Sequence, residues 1–276
     1  MRLSIITINR NNAAGLEKTM QSVVSQTNKD LEYIVVDGAS TDESVEVIRR
    51  FAEQRAVRWV SERDNGIYNA MNKGIRMAQG EYIMILNSGD HLATPQVIEQ
   101  MEQALIANNM PDILYGNMIK IWPDGKTLRD RQLQDDYSLF NFYQGTLNPD
   151  GTYIRRSLFE QFGPFDEGMK ICSDWAWMLK TVGMNGVKPL HVNLDTLYFD
   201  MTGVSEGGER SQKTIQNERR QVLQQTLPAP VLKDYDRYAD DILIMRRLHR
   251  HPWAFKLVRF VERCLFKLEK RKRNKS

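Results

Sequence analysis

Cysteine is scarce in this chain, since its 276 residues include only Cys172 and Cys264. Two cysteines cannot build a disulfide framework, and their spacing from the four histidines does not match a zinc finger. Long apolar runs are also missing, because no stretch approaches the roughly 20 apolar residues that cross a bilayer. The run Leu3 to Ile8 is too short for a secretion signal. The sequence therefore predicts a cytoplasmic protein of one or two domains, with 41% apolar residues available for a core.

The net charge of +3 conceals an uneven distribution. Residues 242–276 hold 12 Lys and Arg and 2 Glu, a net charge of +10, whereas the remainder holds 26 basic and 33 acidic residues, a net charge of −7. Within residues 253–270, basic residues recur at steps of three and four, and apolar residues occupy another face. This pattern is typical of an amphipathic helix on an anionic membrane surface. A helix packed on the rest of the chain is the alternative, and nucleic-acid binding is disfavoured because no aromatic platform accompanies the charge.

The first ninety residues alternate β-branched runs with helical patterns, which is typical of parallel βαβ units. We predict four strands, Leu3 to Ile8, Leu31 to Val36, Val57 to Val60 and Tyr82 to Leu86, and two helices, Ala13 to Ser25 and Ile67 to Ala78. Ser40 to Glu43 predicts a capping box for a helix through Phe51, and Thr94-Pro95 predicts the start of another helix. The fold class is therefore α/β, with a mostly parallel sheet flanked by helices.

After Asp112 the pattern changes to longer strands, beginning with Ile113 to Ile121 and a turn at Pro123 to Gly125, and a polar stretch follows to Asp136. This change indicates a mixed sheet that serves a different ligand. From Glu206 the chain is helical, with breaks at three prolines. We expect a domain of residues 1–205, made of halves 1–110 and 111–205, and a helical extension of residues 206–276.

Polar residues follow each of the four predicted strands. They are Asn9-Arg10, Asp37 to Asp42, Glu62 to Gly66 and Asn87 to Asp90. These residue types are common in turns, but ligands of open α/β sheets bind outside the carboxyl ends of the strands, and four such loops at one edge favour a binding site. Neither glycine-rich phosphate motif follows a strand, so a dinucleotide oxidoreductase or P-loop kinase is disfavoured. Asp37 is placed to accept hydrogen bonds from a base or ribose, and a diphosphate beside carboxylates would need a divalent cation.

Three blocks of sequence, taken in order, carry a resemblance to a known family. Val35 to Asp42, Ser61 to Gly74 and Leu86 to Asp90 resemble the N-terminal blocks of family 2 glycosyltransferases, most closely the bacterial branch that builds capsule, exopolysaccharide and lipopolysaccharide. The resemblance covers about the first 205 residues. It implies a GT-A fold (Rossmann-like), a UDP- or GDP-sugar donor, a glycan or lipid-linked acceptor, and inversion at the anomeric carbon. A protein peripheral to the inner face of the cytoplasmic membrane would fit such an acceptor.

The resemblance also assigns site residues. The nucleotide-sugar site would contain Thr7, Asn9, Asp37, Asp64 and Asn87, with Asp37 at the nucleobase. Asp90 would hold Mn²⁺ or Mg²⁺ on the diphosphate. The family's metal block usually reads Asp-x-Asp-Asp, and Asn87 and Gly89 replace two of its carboxylates here. Since Mg²⁺ commonly uses one or two protein carboxylates, Asp90 alone is chemically sufficient.

Ile171 to Trp177 resembles the family's short acidic motif, whose Asp, here Asp174, is the general base. A carboxylate is needed because a sugar hydroxyl is a poor nucleophile at neutral pH. Alternatively, Ser173 or Asp174 only caps a helix. Trp175 and Trp177 would flank a sugar ring or belong to the core, and we interpret Cys172 as a packing residue. Further blocks, Gly151 to Phe159 with Gly163 to Glu167 and Phe199 to Ser205, resemble the acceptor side and a loop that closes over the diphosphate.

Two other functions remain open. A sugar nucleotidyltransferase shares a similar core, but it would need a glycine-rich loop after the first strand, and Asn9 to Asn12 lacks glycine. A non-catalytic membrane-associated partner is the second alternative. Asn87 and Gly89, where carboxylates are expected, are its best support.

Overall fold

The structure is a computed structural model that describes residues 3–54, 56–130, 137–145, 147–203 and 208–273. The described strands form one nine-stranded sheet in the order β3-β2-β1-β4-β8-β6-β9-β5, with β7 paired to β6. The strands are β1 (Leu3–Asn9), β2 (Leu31–Asp37), β3 (Val57–Ser61), β4 (Tyr82–Ile85), β5 (His91–Leu92), β6 (Ile113–Ile121), β7 (Thr127–Asp130), β8 (Tyr153–Arg155) and β9 (Pro189–Asp200).

Helices connect these strands and extend the chain beyond the last one. They are α1 (Ala13–Val24), α2 (Ser44–Gln54), α3 (Ile67–Met77), α4 (Val97–Ala107), α5 (Leu139–Gln144), α6 (Arg156–Phe162), α7 (Ser173–Met178), α8 (Glu209–Thr226), α9 (Ala229–His249) and α10 (Pro252–Arg273). A π-helical segment, Leu179–Met184, continues directly from α7.

Strands β1 to β4 are parallel, and β1 lies between β2 and β4. The chain therefore runs outward from β1 through β2 to β3, and then returns to the other side of β1 to form β4. Such a reversal of strand order opens a crevice at the carboxyl ends of the central strands, where α/β proteins bind ligands. Here that crevice lies beyond Asn9 at the end of β1.

Helices cover both faces of this parallel half, which explains why β1 and β2 are buried along their whole length. One face carries Ile5 and Tyr33 into a core shared with Leu16 and Met20 of α1. On the other face, Gly74 brings α3 so close to the sheet that a Cβ at this position would collide with the Ile6 side chain. Burial of each aliphatic side chain contributes about 1.5–3 kcal/mol, so this two-sided core is a large stabilising contribution.

The predicted elements of the first half are confirmed, and the strands and two helices that were given both bounds begin where expected and end within one residue of the expected positions. The capping box was wrong: α2 begins at Ser44, and the Ser40 side chain instead donates to Asp37. The start of the next helix was also wrong, because α4 begins at Val97 and Thr94-Pro95 lie in the preceding turn. In both cases the residues form hydrogen bonds with a neighbouring loop. Ser40 Oγ accepts from the N–H of Asn11, and the Pro95 carbonyl accepts from the N–H of Thr27.

The second half of the sheet is mixed, as predicted. Strand β8 is antiparallel to β4 and β6, whereas β9 is parallel to β6. The turn at Pro123 to Gly125 is confirmed as the β6–β7 connection, in which Trp122 N donates to the Lys126 carbonyl over 3.0 Å. The polar stretch that follows Asp130 lies outside the described residues up to Asp136. Strand β9 brings Asp200 back to the edge of the sheet that holds the crevice.

The chain divides into two compact units, Met1–Val222 and Leu223–Ser276. The first contains the sheet, and the second contains the end of α8 with α9 and α10. The predicted helical character after Glu206 is confirmed within residues 208–273, although Pro230 is accommodated in the first turn of α9 and does not break it. None of the described helices carries an apolar stretch that could span a membrane. The predicted domain boundary at residues 205/206 stays a prediction.

Candidate functional site

The ends of β1, β2 and β3 are joined by side-chain hydrogen bonds around Asp37. Asn9, Asp37 and Ser61 lie side by side in the strand register. The Asp37 carboxylate accepts hydrogen bonds from Asn9 Nδ2 (2.9 Å), Ser61 Oγ (2.7 Å), Ser40 Oγ (2.5 Å) and Ser40 N (2.9 Å). Asp37 therefore holds three strand ends and the first turn of the following loop in one arrangement.

The environment of Asp37 favours its ionised form. Burial of this residue, which has no exposed surface, acts to raise the pKa of the carboxyl group. The hydrogen bonds from Ser40, Ser61 and Asn9 outweigh that effect, so the pKa of Asp37 is lowered from its usual value. A fixed negative charge thus lies directly beneath the crevice.

Further hydrogen bonds tie the loops after β1, β2 and β4 to each other. Asn12 Nδ2 donates to the Ser88 carbonyl over 3.1 Å, and Asn11 Oδ1 accepts from Thr41 N over 2.7 Å. Asp42 Oδ2 accepts from the N–H of Ala13 over 2.9 Å. Because these partners belong to three different connections, the loops form one continuous rim around the crevice.

Asp64 joins this rim from the loop after β3. Its Oδ1 accepts from Gly66 N over 3.1 Å, and its Oδ2 lies against the backbone of Gly38, where any Cβ would collide with it. The glycine at position 38 therefore lets the Asp64 carboxylate lie against the backbone next to Asp37. Half-buried Asp64 keeps its carboxylate at the surface of the crevice.

The turn Asn87–Asp90 after β4 explains why two expected carboxylates are absent. Gly89 has a φ of +110°, a conformation that side chains rarely tolerate, and a Cβ there would lie 3.2 Å from Asp200 Oδ2. Asn87 Nδ2 donates to Asp150 Oδ1 over 2.9 Å. At each of these two positions, a carboxylate from another part of the chain lies next to the residue that replaces an acid.

Asp90 is buried at the end of this turn. Its Oδ1 accepts from the Asp200 N–H over 2.7 Å. The pKa of Asp90 is raised to about 7. Burial is the largest cause, the nearby negative charge of Asp200 adds to it, and the Asp200 N–H and the Lys18 ammonium oppose it. Asp90 therefore needs a cationic partner to be fully ionised near neutral pH.

Asp174 lies in the first turn of α7 and is half-buried. The Tyr68 hydroxyl, from α3, lies 2.9 Å from Asp174 Oδ1 and 2.5 Å from the Ile171 carbonyl oxygen, so one proton serves two acceptors. Burial raises the pKa of Asp174, and the Trp175 N–H and the Tyr68 hydroxyl partly oppose it. An acid with a raised pKa is a stronger base once ionised, which suits proton abstraction near neutral pH.

Asp150 lies within electrostatic range of two other carboxylates, those of Asp90 and Asp174. Burial raises the pKa of Asp150 well above its usual value, and the negative charges of Asp90 and Asp174 raise it further. Asp150 thus lies near both Asp90, predicted to hold a metal, and Asp174, predicted to be a base. They come from the loop after β4 and from α7, two parts of the chain that are far apart in sequence.

Comparison with known families agrees with this geometry. The family model described as "Glycosyl transferase family 2" matches residues 4–172, more than half of the chain. The chain belongs to glycosyl transferase family 2. An uncharacterized glycosyltransferase of Mycobacterium tuberculosis is 30% identical over 219 residues, covering 76% of this chain and 79% of that protein. A PGL/p-HBAD biosynthesis glycosyltransferase of Mycobacterium bovis is 28% identical over 184 residues, covering 64% of this chain and 68% of that protein.

Solved structures of other proteins share the fold. The S. aureus TarS fragment in complex with UDP-GlcNAc has a TM-score of 0.63 at 18% identity, covering 79% of this chain and 65% of that chain. A mannosyltransferase from Pyrobaculum calidifontis in complex with GDP-Man and Mn²⁺ has a TM-score of 0.58 at 18% identity, covering 76% and 59%. This chain thus spans less than two thirds of each solved chain. The predicted family and GT-A-like fold are confirmed, whereas the predicted bacterial branch is not.

Other predicted residues of this family 2 glycosyltransferase lie outside the crevice. Thr7 is fully buried, with its hydroxyl 3.1 Å from that of Tyr33, so the structure does not bring it to the rim. Trp175 and Trp177 belong to the core: the Trp175 indole N–H donates to the carbonyl oxygens of residues 142 and 145, and that of Trp177 to residue 163. Cys172 is buried, which confirms its interpretation as a packing residue.

Several residues of the site were not predicted from the sequence. They are Tyr68, Asp150, Asp200 and Glu218. Tyr68 stands in the second of the family blocks, and Asp150 stands at the point where the acceptor-side block begins, so both could have been singled out. The roles of Asp200 and Glu218 depend on contacts across more than forty residues of sequence.

A divalent cation fits this site only together with a ligand. Among the described residues, no group of three or more His, Cys, Asp or Glu side chains could hold a metal ion. Asp90 and Asn87 share one turn, and Asn87 Oδ1 is buried without a hydrogen-bond partner in the described structure. Both offer the oxygen ligands that Mg²⁺ and Mn²⁺ prefer. A bound diphosphate and water would have to supply the remaining ligands.

Proposed function

We propose that this family 2 glycosyltransferase transfers a sugar from a UDP- or GDP-sugar to a hydroxyl group of a growing glycan, with inversion at the anomeric carbon. The observation that carries the proposal is the arrangement of the crevice. A rim of hydrogen-bonded loops lies at the carboxyl ends of the central strands, and Tyr68 supports Asp174. Asp174 and Asp90 each lie within electrostatic range of Asp150.

The nucleotide is proposed to bind along the rim formed by the loops after β1, β2 and β3. Asp37 is fully buried, so it acts by holding Asn9 and Ser40 in place and by placing negative charge beneath the base and ribose. Asp64, which is partly exposed, would accept hydrogen bonds from the nucleoside directly. The structural neighbours with UDP-GlcNAc and GDP-Man support a nucleotide-sugar donor, and its nucleobase can be uracil or guanine.

In the proposed reaction, Asp174 accepts the proton of the acceptor hydroxyl while its oxygen forms a bond to the anomeric carbon. The bond from that carbon to the diphosphate breaks, and the nucleoside diphosphate leaves with the electron pair. A single displacement of this kind needs one base and inverts the configuration. A positioned base contributes about 10²- to 10⁴-fold to the rate. The raised pKa of Asp174 follows from burial and makes it well suited to this role.

Asp90 is the residue proposed to hold Mn²⁺ or Mg²⁺, with Asn87 beside it. When bound, the cation would neutralise charge on the departing diphosphate. Asp90 is buried and close to further carboxylates, so a bare diphosphate would be repelled there. The mannosyltransferase from Pyrobaculum calidifontis, solved with Mn²⁺, supports metal use in this fold.

The acceptor is proposed to be a lipid-linked surface glycan of the capsule, exopolysaccharide or lipopolysaccharide type, reached at the inner face of the cytoplasmic membrane. Helix α10 supports this location. Trp253, Leu257 and Phe260 on its apolar face are 72%, 57% and 64% exposed, and Lys256 and Arg259 beside them are exposed too. Apolar side chains flanked by cations suit the surface of an anionic bilayer.

A donor-hydrolysis screen tests the proposed function. The purified chain is incubated with a panel of UDP- and GDP-sugars and with Mn²⁺ or Mg²⁺, and release of the nucleoside diphosphate is measured. We expect slow hydrolysis of one donor class, since glycosyltransferases can pass the sugar to water when no acceptor is present. Release of pyrophosphate from a nucleoside triphosphate and a sugar phosphate would indicate a nucleotidyltransferase instead. Absence of both reactions, together with absence of donor binding, would favour a non-catalytic role.

A further inference from the structure

Helix α8 holds the segment that leads into α7. The carboxylate of Glu218 accepts three backbone hydrogen bonds: from the N–H of Lys170 to Oε1 over 2.6 Å, and from those of Ile171 and Cys172 to Oε2 over 3.0 and 2.9 Å. Three consecutive N–H groups of residues 170–172 therefore converge on one side chain. Hydrogen bonds to an ionised acceptor are about twice as strong as neutral ones.

Residues 170–172, the segment that Glu218 clamps, connect to Asp174 in two ways. Ile171 supplies the carbonyl oxygen that shares the Tyr68 hydroxyl with Asp174, and Asp174 follows two residues after Cys172. Helix α7 has only six residues, too few to be stable without outside contacts. The orientation of Asp174 thus depends on how residues 170–172 are held.

The residue next to Glu218 contacts α7 as well. The guanidinium carbon of Arg219 lies 5.0 Å from the centroid of the Trp175 ring, which is a cation–π distance. Its positive charge also acts to lower the pKa of Asp174. The titratable groups that influence Asp174 thus come from three elements: Tyr68 on α3, Asp150 before β8 and Arg219 on α8.

We propose that Glu218 is a positioning residue for Asp174: its carboxylate fixes residues 170–172 so that the base points at the acceptor hydroxyl. The inference rests on the proposed function of Asp174. Neither Glu218 nor α8 lies within residues 4–172, which match the family model. The contacts of Glu218 are therefore read from this structure and not from the family match.

The test compares Glu218→Ala, Glu218→Gln and a control, Glu209→Gln, which changes an exposed acid in the first turn of the same helix. Donor hydrolysis, or transfer once an acceptor is known, gives kcat and KM. We expect Glu218→Ala to lower kcat at least tenfold while the donor KM changes less than twofold. Glu218→Gln keeps one carbonyl acceptor and should recover part of the loss. The control should match the unmodified chain.

A pH profile separates positioning from general stability. Asp174 must be ionised to act, so the acid limb of kcat reports its pKa in the bound complex. When the clamp is lost, water gains access to Asp174 and its pKa falls, so the acid limb should move to lower pH. An unchanged kcat, or a loss of kcat that follows thermal stability with an unmoved acid limb, would overturn the proposal.

Hydrogen exchange provides a readout that does not depend on the proposed function. Amide protons of residues 170–172 should exchange much faster in Glu218→Ala than in the Glu209→Gln control. If exchange is faster in the variant but the unmodified chain shows no activity, the clamp exists and the proposed reaction is wrong. Equal exchange rates would contradict the clamp itself.

Discussion

Replacing Asp174 by Asn should abolish most activity while it increases stability. The substitution keeps an oxygen that accepts the Tyr68 hydroxyl, so the hydrogen bond of 2.9 Å can persist. It removes the group that takes the proton. Loss of a positioned base lowers kcat by about 10²- to 10⁴-fold, which corresponds to roughly 3–5.5 kcal/mol of transition-state stabilisation. Donor affinity should change little, because Asp174 is assigned to the acceptor side.

The stability gain follows from the direction of the pKa shift. Burial raises the pKa of Asp174 in the folded chain above the value of about 3.9 expected in the unfolded chain. The folded state therefore binds a proton more tightly than the unfolded state, and the carboxyl group costs stability as pH rises through its folded pKa. Asp174→Asn removes that cost. The variant should equal the unmodified chain below pH 4 and exceed it at pH 7.5.

Two assays with one control check these outcomes. Donor hydrolysis or transfer gives kcat, and urea unfolding at acidic and neutral pH gives the free energy of unfolding. Asp124→Asn, in the exposed β6–β7 turn, is the control and should leave both quantities unchanged. Full activity of Asp174→Asn would refute its role as the base. Lower stability at neutral pH would refute the account of its buried charge.

Three further predictions follow from the same structure. Asp37→Asn should lower the free energy of unfolding at pH 7 by about 1.5–3 kcal/mol, because the lowered pKa of Asp37 stabilises the fold above about pH 4 and this contribution is lost as pH falls through the folded pKa. Urea unfolding should show the gap between variant and unmodified chain narrowing as the pH falls below about 4, and a constant gap would contradict the prediction. Asp90→Asn should weaken binding of Mn²⁺ and so raise the metal concentration that gives the half-maximal rate of donor hydrolysis. An unchanged metal titration would exclude Asp90 as a ligand. Replacing both Arg263 and Lys267 of α10 by Glu should abolish co-sedimentation with phosphatidylglycerol vesicles. Neutral phosphatidylcholine vesicles serve as the control. If the variant binds phosphatidylglycerol as well as the unmodified chain does, the basic face does not contact lipid.

The parallel half of the fold was predictable because its signals are local. Leu31–Asp37 is apolar apart from Glu32 up to its last residue, because helices cover both faces of the sheet, and polar residues mark each strand end. The ordered blocks then identified the family. The capping box failed because the Ser40 hydroxyl does not accept from a helix N–H: it donates to the buried carboxylate of Asp37, three residues earlier, and accepts from the N–H of Asn11.

Several contacts of the site join segments that are distant in sequence, and these could not be predicted. Tyr68 and Asp174 are separated by 106 residues and Asp90 and Asp200 by 110, so no local pattern predicts either contact. The absence of acids at positions 87 and 89 suggested a decayed metal site. In the structure, Gly89 is required by its positive φ, and Asp150 and Asp200 lie next to the two substituted positions. This arrangement argues against decay, and it became visible only in three dimensions.

Titration calorimetry of the unmodified chain with UDP- and GDP-sugars, with and without Mn²⁺, tests the central claim most directly. We expect saturable binding of one nucleotide class, at one site per chain, and tighter binding in the presence of the metal. Absence of binding to every donor, in the presence and absence of Mn²⁺ and Mg²⁺, would contradict it.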